Sequence, residues 1–228
     1  MPTTTDINSF SIPLLGDTAN IETAIHPFAN AVDALVIPRF ATTAARDAAI
    51  TTPSFGQTAA VSGTGEMYYH NGSAWCGLVP RVKYKNADLS RSSTTVIAAD
   101  PDLALSVEAS SVYLANLFIT YTIITSDTQD IKVNCLFPSG AGIFQPWWAE
   151  TDAGTSGVDT TVRLNRSGSG TEVPFGAQAA SHSSAHMQNI LITAGTAGTF
   201  SLGWAQQASS ANATILQARS LLSLLKIG

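Results

Sequence analysis

The chain has 228 residues, of which 45% are hydrophobic and only 12% are charged, and its net charge is -5. This acidic balance excludes a general electrostatic attraction to nucleic acid or to anionic membranes, and the hydrophobic content excludes a disordered chain. Because an ordinary soluble domain carries about 25% charged residues, the polar surface must consist mainly of hydroxyl and amide groups.

The N-terminal region, residues 1–38, is predicted to be a short helical or extended anchor. It has no visible secretory signal, because Met1–Asp6 contains no basic stretch and no apolar run follows it. Apolar residues then follow a heptad-like spacing, which we call the N-terminal seam: Leu14, Ile21, Ile25, Phe28, Val32 and Leu35. Pro27 interrupts the helix, and the piece after it is too short to be stable alone. We therefore expect the seam to serve oligomerisation or docking, for instance in a three-stranded bundle. Packing against the chain's own β domain is the alternative.

A small connecting module with one helix and a β-hairpin is predicted over residues 39–79. Thr43 is a candidate cap for a helix that runs to Ile50, and short strands are expected over 57–61, 65–70 and 73–78. Between the last two strands, Asn71-Gly72 is a strong signal for a two-residue type I′ turn, which needs a positive φ at both positions.

The C-terminal region, residues 80–228, is predicted to be an antiparallel β-sandwich of the jelly-roll kind, so the chain is expected to be mainly β. Many short strands are separated by turn-forming residues, which is typical of sandwiches. One strand alternates clearly, with Ile131, Val133 and Cys135 on one face and Lys132 and Asn134 on the other.

Candidate ion ligands and cysteines are few. His182 and His186 are four residues apart, but they lie in a small-residue stretch that predicts a loop leading into a strand. Asp100-Pro101-Asp102 indicates a turn, with calcium ligation as the alternative. For both pairs, ion binding is the less favoured alternative. Cys76 and Cys135 match no zinc or redox spacing and are expected to be small buried hydrophobes, with a disulfide as the alternative.

The segment Trp147-Trp148 followed by Glu150 and Asp152 is the candidate for surface recognition. Aromatic faces and carboxylates are what sugar binding uses, and two carboxylates held apart at the right distance can hydrolyse glycosides. Adjacent strand residues point to opposite faces, however, so one Trp should be core and the other a rim or interface residue. Pro146 favours an edge strand at this place. Because no nucleophile, phosphate-binding or dinucleotide motif is present, we expect no enzymatic activity, no catalytic residues, no cofactor and no metal.

Two parts of the module carry a family resemblance: the run from Ile37 to Ile50, and Tyr69-His70-Asn71-Gly72-Ser73-Ala74-Trp75. They resemble a module of structural proteins of tailed bacteriophages, particularly minor tail, fibre, head-fibre and capsid-decoration proteins. The opening Ile12-Pro13-Leu14 and the closing stretch from Gly198 to Gln207 are similar to the corresponding ends of such proteins.

The resemblance implies a virion protein made in the host cytoplasm, with an N-terminal anchor that contacts other virion proteins and a β-sandwich head. It also implies a homotrimer. We expect a fibre or spike that contacts a glycan or protein of the host surface, with a capsid decoration protein as the alternative. A glycan-binding or glycan-degrading domain is the second alternative.

Overall fold

A computed structural model describes residues 3–4, 11–12, 36–124, 130–149, 163–167, 170–177 and 181–228. The chain divides into two compact units, Met1–Gly72 and Ser73–Gly228, which are described separately below. The division falls inside the predicted connecting module, directly after Gly72. All six residues of the N-terminal seam lie outside the described residues, so the seam stays a prediction.

The first unit contains one described helix and short strands. Its elements in chain order are β1 (Thr3–Thr4), β2 (Ser11–Ile12), β3 (Arg39–Phe40), α1 (Thr43–Ala49), β4 (Thr58–Val61) and β5 (Glu66–His70). β1 pairs with β2 in antiparallel register, β3 runs parallel to β4, and β4 pairs with β5 in antiparallel register. The predicted helix and both predicted strands of this part are therefore present.

Helix α1 begins one residue earlier than the sequence indicates. The capping side chain belongs to Thr42, whose Oγ1 accepts a hydrogen bond from the Ala45 amide at 3.1 Å, so the expectation that Thr43 is the cap is wrong. Arg46 is buried on this helix, and its guanidinium lies 4.7 Å from the centre of the Tyr68 ring. The helix thus packs through a cation–π contact rather than through an apolar stripe.

The connection after β5 differs from the predicted two-residue turn. β5 ends at His70 and β6 (Trp75–Gly77) begins at Trp75, so four residues lie between them. Of the two predicted turn residues only Gly72, with φ +95°, has a positive φ, and the type I′ prediction is wrong. The extra residues Ser73 and Ala74 remove the need for a left-handed conformation at Asn71.

The second unit consists almost entirely of strands. After β6 they are β7 (Arg81–Tyr84), β8 (Leu89–Arg91), β9 (Ala98–Val107), β10 (Val112–Ile123), β11 (Ile131–Leu136), β12 (Gly142–Ile143), β13 (Gln145–Ala149), β14 (Arg163–Ser167), β15 (Val173–Phe175), β16 (Ser183–Ile192), β17 (Gly198–Gln206), β18 (Thr214–Leu216) and β19 (Leu221–Lys226).

These strands form two antiparallel sheets. The larger sheet has the order β14-β13-β16-β10, and β10 then pairs along different parts of its length with β18 and with β19, whose outer neighbours are β8 and β7. The smaller sheet has the order β15-β11-β17-β9. Buried side chains of both sheets join in one hydrophobic core. The predicted mainly β fold with an antiparallel sandwich is confirmed.

Strict alternation in the two central strands builds this core. In β10 the residues from Tyr113 to Ile123 at odd positions are buried, and in β11 the same is true of Ile131, Val133 and Cys135, as the sequence predicts. Cys135 Sγ lies 3.9 Å from Met187 Sδ, and burial raises the pKa of the Cys135 thiol. Both cysteines are buried and are not joined by a disulfide.

The sheet position of β13 corrects a third expectation. β13 pairs with β14 on one side and with β16 on the other, so it is not an edge strand. The ladder to β16 covers only Trp147–Ala149, and Pro146 lies just beyond it. Pro146 lies within the ladder to β14, opposite Arg166, and its missing amide interrupts no hydrogen bond of the ladder to β16.

The part of the chain that the structure describes contains no helix with both the length and the apolar character needed to cross a membrane.

Candidate contact surface on the larger sheet

The two adjacent tryptophans of β13 point to opposite sides of the larger sheet. Trp147 is fully buried, and its ring centre lies 5.5 Å from that of Phe175 in the core. Trp148 is 39% exposed on the outer side. The predicted division into one core and one surface tryptophan is thus observed, and Trp148 is the residue available for contact. Glu150 and Asp152 lie outside the described residues.

Trp148 belongs to a small cluster that spans three neighbouring strands. Its ring stacks on that of His186, with centroids 5.9 Å apart and an interplanar angle of 27°. His186 Nε2 donates a hydrogen bond to Asn116 Oδ1 at 2.8 Å, since a carbonyl oxygen can only accept. Phe118 is the direct cross-strand partner of His186. The hydrogen bond fixes the imidazole, and the imidazole supports the exposed indole.

This cluster is one corner of a larger surface, which we call the outer face. It is built from cross-strand rows of β7, β19, β10, β16 and β13. The first row is Tyr84, Leu221, Phe118, His186 and Trp148. The second row is Val82, Ser223, Asn116 and Gln188. The third row is Leu225, Leu114 and Ile190, and Ile192 continues it toward the end of β16. Large apolar side chains are therefore exposed side by side, with neutral polar groups between them.

The rows of the outer face contain no Lys, Arg, Asp or Glu, and their titratable side chains are those of His186 and Tyr84. Among its apolar members, Val82 is 56% exposed, Tyr84 is 50% exposed and Ile192 is 57% exposed. The outward side of the smaller sheet differs, because there Lys132 of β11 forms an ion pair of 2.7 Å with Glu172. The absence of charge is limited to these five strands, because Arg166 of β14 is the cross-strand partner of Pro146, at a register position on the same side of the sheet as Trp148.

A second polar cluster, which we call the internal cluster, contains Asp100 and Asp102, the candidate calcium ligands, and of these two side chains Asp100 is buried and Asp102 is 43% exposed. Lys85 Nζ lies 2.9 Å from Asp100 Oδ2 and 2.8 Å from Asp102 Oδ2, and Lys85 and Asp100 are fully buried. Asp100 also accepts hydrogen bonds from the amides of Asp102 and Leu103 and from Trp204 Nε1. Both carboxylates are thus satisfied by a lysine, and they lie within β9 rather than in the predicted turn.

Arg91 extends this internal cluster. Its guanidinium lies 4.2 Å from the centre of the Trp204 ring and donates to the carbonyl oxygens of Ala98 and Ala99. Burial lowers the pKa of Arg91, and the charge of Asp100 opposes this shift. The arrangement joins β8, β9 and β17 and is structural in character.

The histidine pair does not form a joint site. His186 lies inside β16 and is bonded to Asn116, whereas His182 precedes the strand and its Nδ1 donates to Gln217 Oε1 at 2.7 Å. Among the described residues, no three side chains of the His, Cys, Asp and Glu types are placed to hold a metal ion.

Sequence reasoning missed most of the outer face. It singled out Trp148, but it did not group this residue with Phe118, Asn116 or Ile190, which lie about 30 to 40 residues away in the chain. Each strand by itself shows part of the pattern, because the residues of β10 are neutral or apolar on its outward face as well as on its buried face. What the sequence lacks is the cross-strand register that aligns these positions.

Comparison with known proteins identifies no family. No family model and no curated protein matches the chain. Among solved structures, the Eiger TNF of S. frugiperda is similar with 13% identity and a TM-score of 0.32, covering 66% of this chain and 92% of that one. The infectious bursal disease virus VP2 subviral particle has 12% identity and a TM-score of 0.19, covering 68% and 44%. These scores are too low for an inference about function, so the fold assignment rests on the strand pairing itself.

Proposed function

We propose that this chain is a non-enzymatic structural protein of a tailed-phage virion, forming a homotrimeric fibre or spike displayed on the particle. The observation that carries the proposal is the outer face of the larger sheet, which exposes aromatic and aliphatic side chains without formal charge. Contiguous exposed apolar surface of this kind marks sites of contact with other macromolecules. A protein that works by assembly needs such a surface and needs no catalytic group.

The N-terminal seam supplies the attachment to the virion in this proposal. Its support is the heptad-like spacing and the resemblance of the run from Ile37 to Ile50 to a module of phage structural proteins. Display of several sandwiches on one particle would then turn weak single contacts with the host surface into strong ones, because the second contact is effectively intramolecular.

The test is to locate the chain in purified particles of the phage that encodes it. Mass spectrometry of the particles should detect the chain, and gold-labelled antibodies should place it at the tail or on the shell in electron micrographs. Replacement of Ile25→Asp together with Val32→Asp should reduce its incorporation while the isolated protein stays folded. Absence of the chain from purified particles would contradict the proposal.

A capsid decoration protein is the alternative within the same class, since it uses the same architecture and needs no receptor. The two roles differ in what is lost when the chain is deleted. A fibre or spike mutant should assemble stable particles that adsorb poorly to host cells. A decoration mutant should adsorb normally and lose shell stability on heating or at low ionic strength.

Glycan recognition is a candidate from a different class, and the stacked pair of Trp148 and His186 is the observation that favours it. An exposed, rigid aromatic ring beside amide groups is a surface on which a sugar ring can stack. In this case Trp148→Ala should leave assembly intact and abolish binding to host cells or to an array of surface glycans. Unchanged binding of the variant would exclude this function for Trp148.

A further inference from the structure

We infer that the outer face of the larger sheet is covered by a second copy of this chain, and that the main contact between copies therefore lies in the β-sandwich rather than in the N-terminal seam. This inference rests on the proposed function and names the partner of the surface that carries it. The surface in question extends from Val82 and Tyr84 on one side to Trp148 on the other, with Phe118 and Ile190 near its centre.

Charge is the first reason to choose an identical chain as the partner. The chain has a net charge of -5, so two copies repel each other wherever their charged surfaces meet. The outer face, free of Lys, Arg, Asp and Glu in its rows, is a surface on which copies approach without burying an unpaired ion. Within the rows of these five strands, an acidic or basic partner would find no Lys, Arg, Asp or Glu of opposite charge.

The polar groups of the outer face suit the same partner. Asn116 and His186 already satisfy each other through the 2.8 Å hydrogen bond, so their burial leaves less polar capacity unmatched. Ser223 and Gln188, on either side of Asn116 in the second row, each contain both a donor and an acceptor. Groups of this kind can donate a hydrogen bond to the same groups of an identical chain, or accept one from them.

The size of the face approaches that of a specific contact. The rows contain thirteen positions, and each covers about 33 Å², because neighbours on one face are about 6.8 Å apart along a strand and about 4.8 Å apart across strands. The flat area is therefore roughly 430 Å² per copy, or about 860 Å² for two copies, compared with about 1,200 Å² at the lower end of specific protein–protein interfaces. The projecting Phe118, Trp148 and Ile192 side chains add further area.

The experiment measures the solution mass of the full chain by light scattering over a range of protein concentrations. At high protein concentration the wild type should have at least twice the 23.8 kDa mass of one chain. In a variant with Phe118→Glu and Ile190→Glu the dissociation constant should rise by at least about 30-fold, because each contact would then bury unpaired carboxylates. The matched control is Thr199→Glu, an exposed strand position of the smaller sheet, which should keep the wild-type mass.

A labelling measurement keeps the test valid if the doubly substituted chain folds poorly. Ile192→Cys places a thiol on the outer face of an otherwise unchanged protein, and Thr199→Cys places one on the smaller sheet, while Cys76 and Cys135 are buried. The thiol at position 192 should react with a maleimide at least tenfold more slowly at high protein concentration than at low concentration. The thiol at position 199 should react equally fast at both.

The outcomes separate this inference from the proposed function. A wild type that is monomeric at all concentrations, or a thiol at position 192 whose labelling does not depend on concentration, would overturn the inference. An oligomer that survives both glutamate substitutions would overturn it as well, while leaving a virion role with assembly through the N-terminal seam. Loss of the chain from purified particles overturns the proposed function and leaves the measured self-association standing.

Discussion

The indole ring of Trp148 stacks on the imidazole of His186, its cross-strand neighbour, with ring centroids 5.9 Å apart. His186 is in turn held by its hydrogen bond to Asn116 on the next strand. Residues of β10, β16 and β13 therefore hold one exposed aromatic ring in place. Of the two adjacent tryptophans, Trp147 thus packs in the core and Trp148 is partly exposed on the opposite side of the sheet.

The first prediction concerns these two adjacent residues, which form a matched pair of substitutions. Trp147→Ala should lower the free energy of unfolding by about 3–5 kcal/mol, because it removes a fully buried ring that packs against Phe175. Trp148→Ala should lower it by less than about 1.5 kcal/mol, the range of an aromatic pair at a partly exposed site. Urea denaturation below the concentration at which copies associate measures both values.

Equal losses of stability in the two variants would contradict the assignment of opposite faces. The fluorescence of the protein gives an independent check, since the emission of a buried indole lies at shorter wavelength than that of an exposed one. Trp148→Ala should shift the remaining emission toward shorter wavelength, and Trp147→Ala should shift it toward longer wavelength.

Alternation made part of this site predictable. Adjacent strand residues must face opposite sides, so one tryptophan in the core follows from the local pattern alone. The identity of the buried one depends on which face of β13 meets the smaller sheet, and this is decided by the pairing of Trp147 with Met187 and of Trp148 with His186. Such pairings join residues about 40 positions apart and leave no local signal.

The second prediction concerns the cap of helix α1. Thr42→Ala should destabilise the helix by about 1 kcal/mol, because the Ala45 amide loses its acceptor. Thr43→Ala is the control, since it replaces the first helical residue with the best helix former and should be neutral or slightly stabilising. Amide hydrogen exchange of residues 45–49 in the full chain measures the effect on this helix directly. A larger effect at Thr43 would place the cap where the sequence alone indicates it.

The third prediction concerns the buried ion cluster. Lys85→Met should lower the free energy of unfolding by about 3–5 kcal/mol, because the carboxylate of Asp100 would remain buried without its cation. The double variant with Asp100→Asn should regain a large part of this loss, since the uncompensated charge is removed as well.

Lys132→Met is the control for the third prediction. Its partner Glu172 is half exposed, and such a pair contributes about 0–1 kcal/mol. If Lys85→Met were no more harmful than Lys132→Met, the internal cluster would not be a significant source of stability. Thermal unfolding of the variants at one pH gives the comparison.

The internal cluster also marks the limit of what the sequence can reveal. Asp100-Pro101-Asp102 has the composition of a turn or of a calcium loop, and both interpretations use only neighbouring residues. In the fold these residues belong to β9, where its register with β17 shifts, and the cation comes from Lys85 at the end of β7. Lys85, 15 positions away, can be identified as the partner of Asp100 only when the pairing of the strands is known.

The last prediction concerns the pH dependence of stability. Burial raises the pKa of the Cys135 thiol, so the folded protein keeps this group protonated where the unfolded chain, with a thiol pKa of about 8.5, releases the proton. Above that pH the unfolded state binds fewer protons, and the free energy of unfolding falls by up to about 1.4 kcal/mol per pH unit from this group alone. Below about pH 8 both states are protonated and the contribution vanishes.

Between pH 9 and about pH 10.5, the free energy of unfolding of Cys135→Ala and Cys135→Val should therefore fall less steeply than that of the wild type, whatever their stability at pH 7. Denaturant unfolding at several pH values measures these slopes, and parallel curves for all three proteins would mean that the thiol ionises as readily in the fold as in the unfolded chain.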